Sequence, residues 1–325
     1  MSSKKIYSVC ANSFKKWRLT NKQYNNIYNI LGRPKPFDIT FKNILETHQL
    51  NNNNFYYKQL DLYHKICLQH RPANIEICPA LTYNLLPLFT NTLLLHDYIE
   101  EHQNNLQVEL LEINGILNKK LNNFILIHNK EYLNKIYNFL NNKELNFISF
   151  EISISESFHF QNTLKPIANT EQELYEMMYM LDENKFSRYP PFVKLYVSCI
   201  NECPINGKMD NNFIINRLLQ LNKTKVDNIC LIDTCGTLNV TDFEYIVDNC
   251  NKNGLPFKRL SLQLRVKPRI KKEKEIEKIV HSALERKIIN FDVSMSGINT
   301  NITTPILSYE QYYKFLVNYI KKYKK

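Results

Sequence analysis

Glycine is scarce in this chain, with six in 325 residues. An open doubly wound sheet that binds nucleotides needs a glycine-rich turn after its first strand, so that backbone can approach a phosphate. The corresponding segment, "FDITFKNILE" (37–46), contains no glycine, which argues against that architecture. A C-x-x-C pair is also absent, and the Cys199/Cys203 and Cys230/Cys235 spacings are not the usual zinc patterns. Of the eight cysteines, Cys78, Cys199, Cys230 and Cys235 lie in or beside apolar runs. They read as reduced, mostly buried thiols of an intracellular protein. No run approaches the length of a membrane span.

Acidic residues are missing from the start of the chain; Asp38 is the first. The leader before it, residues 1–36, carries Lys4, Lys5, Lys15, Lys16, Arg18, Lys22, Arg33 and Lys35, with Ser2, Ser3, Ser8 and Ser13 among them. That composition suits a mitochondrial transit peptide. Because arginine is scarce and Tyr24 and Tyr28 resemble packing residues, an ordinary extension or a phosphate-attracting arm fits at least as well. A cytoplasmic location is the expectation, with a mitochondrial one as the alternative. The whole chain has a formal charge of +11 and a pI near 9.1, which admits nucleic acid, a phosphorylated small molecule or a membrane surface as partner. The basic residues are spread out, and the run "RVKPRIKKEKEIEK" (265–278) is interrupted by Glu273, Glu275 and Glu277. A solvated surface is therefore favoured over a nucleic-acid footprint, and no RNA-binding signature accompanies the many tyrosines and phenylalanines.

What the chain does have is regular punctuation. Eight short apolar, β-rich runs recur from residue 37 onward: 37–40, 74–78, 123–128, 146–152, 192–199, 228–235, 259–266 and 290–295. Stretches with helical spacing separate them. In "NKEYLNKIYNFLNN" (129–142), Tyr132, Leu133, Ile136, Phe139 and Leu140 share one stripe; in "KKEKEIEKIVHSALERK" (271–287), Ile276, Ile279, Val280 and Leu284 do. Eight strands alternating with helices predict a closed parallel (β/α)8 barrel, a TIM barrel, over residues 37–325. In such a barrel, residues at the carboxyl ends of the strands reach the mouth, where any chemistry sits. The run "RLSLQLRVK" (259–267) alternates apolar and polar residues, which aims Gln263 and Arg265 at the axis.

At "KLYVSCINECPINGKMD" (194–210) the sequence resembles the Y-V-S-C…C-P…G-K segment of the 3-hydroxy-3-methylglutaryl-CoA lyases. Around it, "ISESFHFQN" (154–162) resembles the family's A-S-E-x-F-x-x-x-N, "LIDTCGT" (231–237) its G-D-T-x-G, and "NIEIC" (74–78) its I-E-V-T strand. "PILSYEQYYKFL" (305–316) is similar to G-N-L-A-T-E-D, which opens the last barrel helix. The likeness runs from residue 37 to about 320, and the family's helical C-terminal cap is expected to be missing. It implies a metal-dependent barrel lyase that cleaves an acyl-CoA to acetyl-CoA and acetoacetate, using Mg²⁺ or Mn²⁺, an arginine on the enolate and a loop cysteine.

The positions that should do chemistry depart from that pattern. Where the family has R-D-G-L-Q-N-E the chain has "KNILET" (42–47), so Lys42 stands for the arginine and Asn43 for an aspartate metal ligand. Gln263 and Arg265 replace the two histidines of H-x-H; Ile306 replaces a ligating asparagine; "GINTNI" (297–302) replaces the loop bearing the cysteine. Arg265 is permanently charged and Ile306 has no donor atom, so no usable metal site and no cofactor are expected. Glu76, Asp233 and Thr234 are retained.

The resemblance thus implies a catalytically disabled lyase relative. Lys42, Glu76 and Asp233 hold the catalytic positions, and Ser155, Asn162, Tyr196, Ser198 and Arg265 line the place where an acyl-CoA or other anionic small molecule binds. Two placements of Arg265 are open: it occupies the vacated centre and pairs with one or both of Glu76 and Asp233, since buried carboxylates without a counter-charge are costly, or it turns outward to water and leaves Glu76 hydrated. Two further readings stay open: a lyase with rebuilt, metal-independent chemistry on Lys42, Glu76 and Asp233, and a nucleic-acid or membrane-surface binder using the leader and basic tail. His128, His159, Cys199 and Cys203 read as structural residues, and the family's habit of dimerising makes a homodimer a further expectation.

Overall fold

The computed structural model describes residues 27, 29–31, 35–45, 62–63, 65–67, 70, 72–78, 121–127, 129–140, 146–161, 171–183, 190–266, 273–295 and 305–323. Eight strands close a parallel barrel: β1 (Lys35–Asp38), β2 (Asn74–Cys78), β3 (Asn122–Ile127), β4 (Phe147–Ser153), β5 (Phe192–Ser198), β8 (Asn228–Ile232), β9 (Leu260–Gln263) and β10 (Asn290–Val293). A two-stranded hairpin, β6 (Glu202–Cys203) and β7 (Gly207–Lys208), follows β5. The helices with defined bounds are α1 (Thr40–Leu45), α2 (Lys130–Leu140), α3 (Glu156–Gln161), α4 (Glu171–Glu183), α5 (Asn211–Leu221), α6 (Val240–Lys252), α7 (Glu273–Glu285) and α8 (Tyr309–Tyr323). The eight-run barrel expectation is met.

Alternation divides each strand between two cores. On β5, Val193, Leu195 and Val197 belong to the large core between sheet and helices, while Phe192, Lys194, Tyr196 and Ser198 face the axis. A separate small cluster of Leu126, Tyr196, Cys230 and Ile232 fills part of the barrel interior. Helix α7 shows how the outer layer is built. Its Ile276, Ile279, Val280, Ala283 and Leu284 are buried at helical spacing, each large aliphatic worth roughly 1.5–3 kcal/mol. Helices α5 and α6 start on side-chain caps, Asp210 accepting from Phe213 N and Asn239 accepting from Asp242 N. Ile27, within the leader, is 2 % exposed and packs into the large core.

Two strand boundaries differ from expectation in ways that bear on the mouth. The first strand was expected at 37–40, yet α1 begins at Thr40, because Asp38 Oδ1 accepts Thr40 N at 2.9 Å and turns the chain. The seventh barrel strand was expected at 259–266 but ends at Gln263. Beyond it Leu307 N donates to Leu264 O at 3.0 Å and Val266 N to Pro305 O at 2.6 Å. Arg265 therefore lies past the barrel ladder, in an isolated antiparallel bridge with Ile306.

Candidate functional site

The amino end of the barrel is closed by aromatic rings. Phe37 meets Phe124 edge-on at 4.7 Å between centroids, and Phe147 and Phe192 lie 5.2 and 5.9 Å from Phe124. Directly above them sits Lys194. Its Nζ is 2.6 Å from Asp292 Oδ1 and lies over the rings of Phe37, at 3.3 Å, and Tyr196, at 4.4 Å. Both members of the pair are almost fully buried, at 2 % and 0 % side-chain exposure. The second oxygen of Asp292 accepts the Cys230 thiol at 3.4 Å. Burial pushes that thiol above its ordinary value.

Toward the carboxyl ends of the strands the pattern repeats. Lys42, at the start of α1, reaches Glu151 of β4 at 3.0 Å and lies 4.0 Å from the Tyr196 ring centroid. Tyr196 thus takes both ammonium groups against its ring, a favourable use of the negative π face. Its hydroxyl, buried beside Asp292 and Glu76, is pushed well above the ordinary phenol value by desolvation first and those carboxylates second. Glu76 stands between the two pairs. Ser149 Oγ donates to its Oε2 at 2.9 Å, while Oε1 has no hydrogen-bond partner. Burial raises Glu76 above the usual carboxylate range, and the Lys42 and Lys194 charges only partly offset this. With all groups ionised, two ammoniums face three carboxylates; a proton on Glu76 makes the set neutral, as a low-dielectric interior favours.

Asp233, at the end of β8, is fully buried. Its Oδ1 accepts Thr237 N at 3.0 Å and Leu238 N at 3.1 Å, holding the turn into α6. Thr234 Oγ1 accepts Cys199 N at 2.7 Å. Ser198 Oγ donates to Ile152 O at 3.3 Å, and Ser155 Oγ to Cys203 Sγ at 3.0 Å. Gln263 is 1 % exposed with an Oε1 that lacks a hydrogen-bond partner. The expected pairing of Arg265 with Glu76 or Asp233 is not made. Its Nε is without a partner, and it takes part in no ion pair among the described residues. The physical reason is the early end of β9, which carries Arg265 out of the ladder, while Lys42 and Lys194 already supply the interior charge.

The structure therefore gathers Lys42, Glu76 and Tyr196 into one cluster, and leaves Asp233, Ser155, Ser198 and Arg265 engaged or placed elsewhere. Asn162, His128, the segment 297–302 and the side chains of Asn43 and His159 lie outside what is described. Sequence reasoning missed Lys194, Glu151 and Asp292. The signal was present: each is a charged residue at an axis-facing position of an otherwise apolar strand, in "FVKLYVS", "FISFEIS" and "NFDV". Among the described residues, no group of three His, Cys, Asp or Glu side chains is placed to hold a metal ion, and no helix is long and apolar enough to cross a membrane.

No protein-family model matches the sequence, and no curated protein matches it. Solved structures do. A hydroxymethylglutaryl-CoA lyase from Pseudomonas aeruginosa superposes with a TM-score of 0.62 at 16% identity, over 88% of this chain and 85% of that one. The HMG-CoA lyase of Brucella melitensis gives 0.57 at 17% identity, over 82% and 83%. An HMG-CoA lyase from Acinetobacter baumannii, solved with coenzyme A and 3-methylmalate, gives 0.55 at 16% identity, over 82% and 77%. The chain shares the closed-barrel fold of the HMG-CoA lyases.

Proposed function

We propose that the chain is a divergent relative of the HMG-CoA lyases that has lost lyase catalysis and keeps its barrel mouth as a binding site for an acyl-CoA or another anionic small molecule. The observation that carries this reading is the self-neutralised interior. Lys42, where the resemblance puts the enolate-binding arginine, is paired with Glu151 and packed on Tyr196. Lysine at that place keeps a charge but lacks the planar fork of donors.

The residues do not fit a divalent cation. Asp233 gives one oxygen to two backbone amides, Arg265 and Ile306 are joined as a backbone bridge, and Glu76 is flanked by two ammonium charges. A dication placed among them would meet like charge and too few anionic oxygens. Loss of such a Lewis acid removes several kcal/mol of enolate stabilisation, roughly a thousandfold or more in rate.

One observation favours a second reading, a metal-independent carbon–carbon lyase. Glu76 combines a raised pKa, an oxygen without a hydrogen-bond partner and a nearby lysine, which suits a proton carrier. Asp233 drops out of that trio as the holder of its turn. Titrating coenzyme A and short acyl-CoA esters into the protein by calorimetry, with EDTA present, separates the readings when combined with a turnover assay. Binding with no release of acetyl-CoA supports the scaffold. Metal-free turnover that disappears in Glu76→Gln supports the second reading, and no binding at all contradicts both.

A further inference from the structure

The three cysteines around the β6–β7 hairpin have chemistry that the proposed function leaves unused. Cys203 ends β6, and its Sγ accepts three hydrogen bonds: from Ser155 Oγ at 3.0 Å and from the backbone N–H groups of Ile205 and Asn206, both at 3.4 Å. Neutral thiols are weak acceptors, and three convergent donors suit a thiolate. Burial pushes the Cys203 thiol up, but the donors from Ser155, Asn206 and Ile205, joined by Cys199, more than offset it and leave it below its ordinary value.

Cys199, four residues earlier, is the neighbouring thiol in sequence. It follows β5 with a left-handed backbone, φ 64°, and Ser153 Oγ donates to its Sγ at 3.7 Å. Burial pushes Cys199 up to about 12, so it remains a protonated donor beside Cys203. The third thiol, Cys235, points instead at Glu202 O, at 3.4 Å.

Cys203 is covered, at 1 % exposure. The turn that follows it, Pro204, Ile205 and Asn206, is exposed and belongs to a hairpin of two residues per strand. So small a ladder is marginal by itself and opens locally at little cost. Further links tie it to the mouth. Asn206 Nδ2 donates to Ser157 Oγ at 2.9 Å, Asn201 Nδ2 to Thr237 Oγ1 at 3.0 Å, and Lys208 pairs with Asp242 at 2.7 Å. A change at Cys203 is therefore felt by the β4–α3 and β8–α6 turns together.

We propose that Cys203 is a hydroperoxide-reactive thiolate and that Cys199 resolves it, making this hairpin a redox-modified site at the barrel mouth. In the first step the Cys203 sulfur attacks the distal oxygen of a hydroperoxide. The S–O bond forms, the O–O bond breaks, sulfur loses two electrons, and the peroxide leaves as an alcohol or water after taking a proton from solvent. In the second, the Cys199 sulfur attacks the sulfenic sulfur; an S–S bond forms, and the hydroxyl leaves as water with the Cys199 proton. Ser155 acts here as a positioning residue, its hydroxyl holding charge on Cys203.

The test is limited hydrogen peroxide on the full chain, read by peptide mass spectrometry with dimedone to trap sulfenic acid. The expected first product is loss of two hydrogens from the peptide spanning 195–208. Cys199→Ser should stop at a dimedone adduct on Cys203. Ser155→Ala should slow the Cys203 reaction by about threefold to tenfold while Cys235 is unaffected. Prior oxidation of the more exposed Cys235, or of the donor-poor Cys250, overturns the proposal in the unmodified protein, with no variant required. A Cys203 adduct in the parent chain without the 199–203 link overturns the resolving role of Cys199.

Discussion

Two lysine–carboxylate pairs occupy the same barrel at different depths, and the contrast between them separates structure from function. Lys194–Asp292 lies just above the aromatic floor, nearly sealed, with a phenylalanine and a tyrosine ring against the ammonium. Lys42–Glu151 lies toward the mouth, and Glu151 retains 13% side-chain exposure. The deep pair is nearly sealed and joins β5 to β10 across the barrel interior. The upper pair carries the same charges where Glu151 reaches water and where the proposed anionic ligand would compete for Lys42. Depth, more than residue type, decides the role of each.

Breaking the deep pair gives the largest expected effect. Lys194→Met leaves Asp292 buried without its counter-charge and should destabilise the fold by about 3–5 kcal/mol in urea unfolding. Lys194→Met combined with Asp292→Leu should recover a large part of that, because the charge left behind is removed as well.

A buried acid with no cationic partner sharpens the comparison next. Asp38 accepts from Thr40 and Tyr309 and is driven by burial up to about 6; His70, stacked on Tyr309 at 4.0 Å, is driven by burial down to about 4. The raised acid loses stability as pH rises through the interval between its unfolded value and 6. The depressed histidine gains stability as pH rises from 4 toward its unfolded value. The two slopes oppose each other. Asp38→Asn should turn the net slope upward by roughly 2 kcal/mol between about pH 4.5 and 6.5, and His70→Gln should turn it downward by a similar amount, both read from urea melts across that range against the parent protein.

The upper pair should respond differently from the deep one. Lys42→Met should cost about 1–2 kcal/mol of stability, because Glu151 can turn to water, yet weaken binding of a CoA ester by roughly tenfold or more in calorimetry. Equal losses of stability in Lys42→Met and Lys194→Met would erase the distinction by depth. The smallest effect belongs to Arg265→Leu. With no ion pair to lose among the described residues, its unfolding free energy should stay within the range of ordinary surface changes, about 0.5 kcal/mol.

The barrel was legible in the sequence because its signals are local. Short apolar runs marked the eight strands, helical spacing in 271–287 gave the buried stripe of α7, and Glu76 and Tyr196 came from segments that resemble the lyases. Pairing across the interior is not local. Lys194 and Asp292 meet across 98 positions, at a level set by barrel stagger, which alternation does not encode. The same limit explains Arg265. Its alternation continued past Gln263, but the ladder stopped where residues 305–307 offered competing backbone partners. Asp233 lies in a segment that resembles the lyases' G-D-T-x-G, while its Oδ1 accepts two backbone amides of its own loop, a role that residue identity does not reveal.

The central claim is that the barrel interior supplies its own cations and has no place for a divalent one. Mn²⁺ titrated into the protein and followed by electron paramagnetic resonance tests this directly. The free-ion signal should rise in proportion to added metal, as in buffer alone; a stoichiometric loss of that signal, abolished by Glu76→Gln, would contradict it.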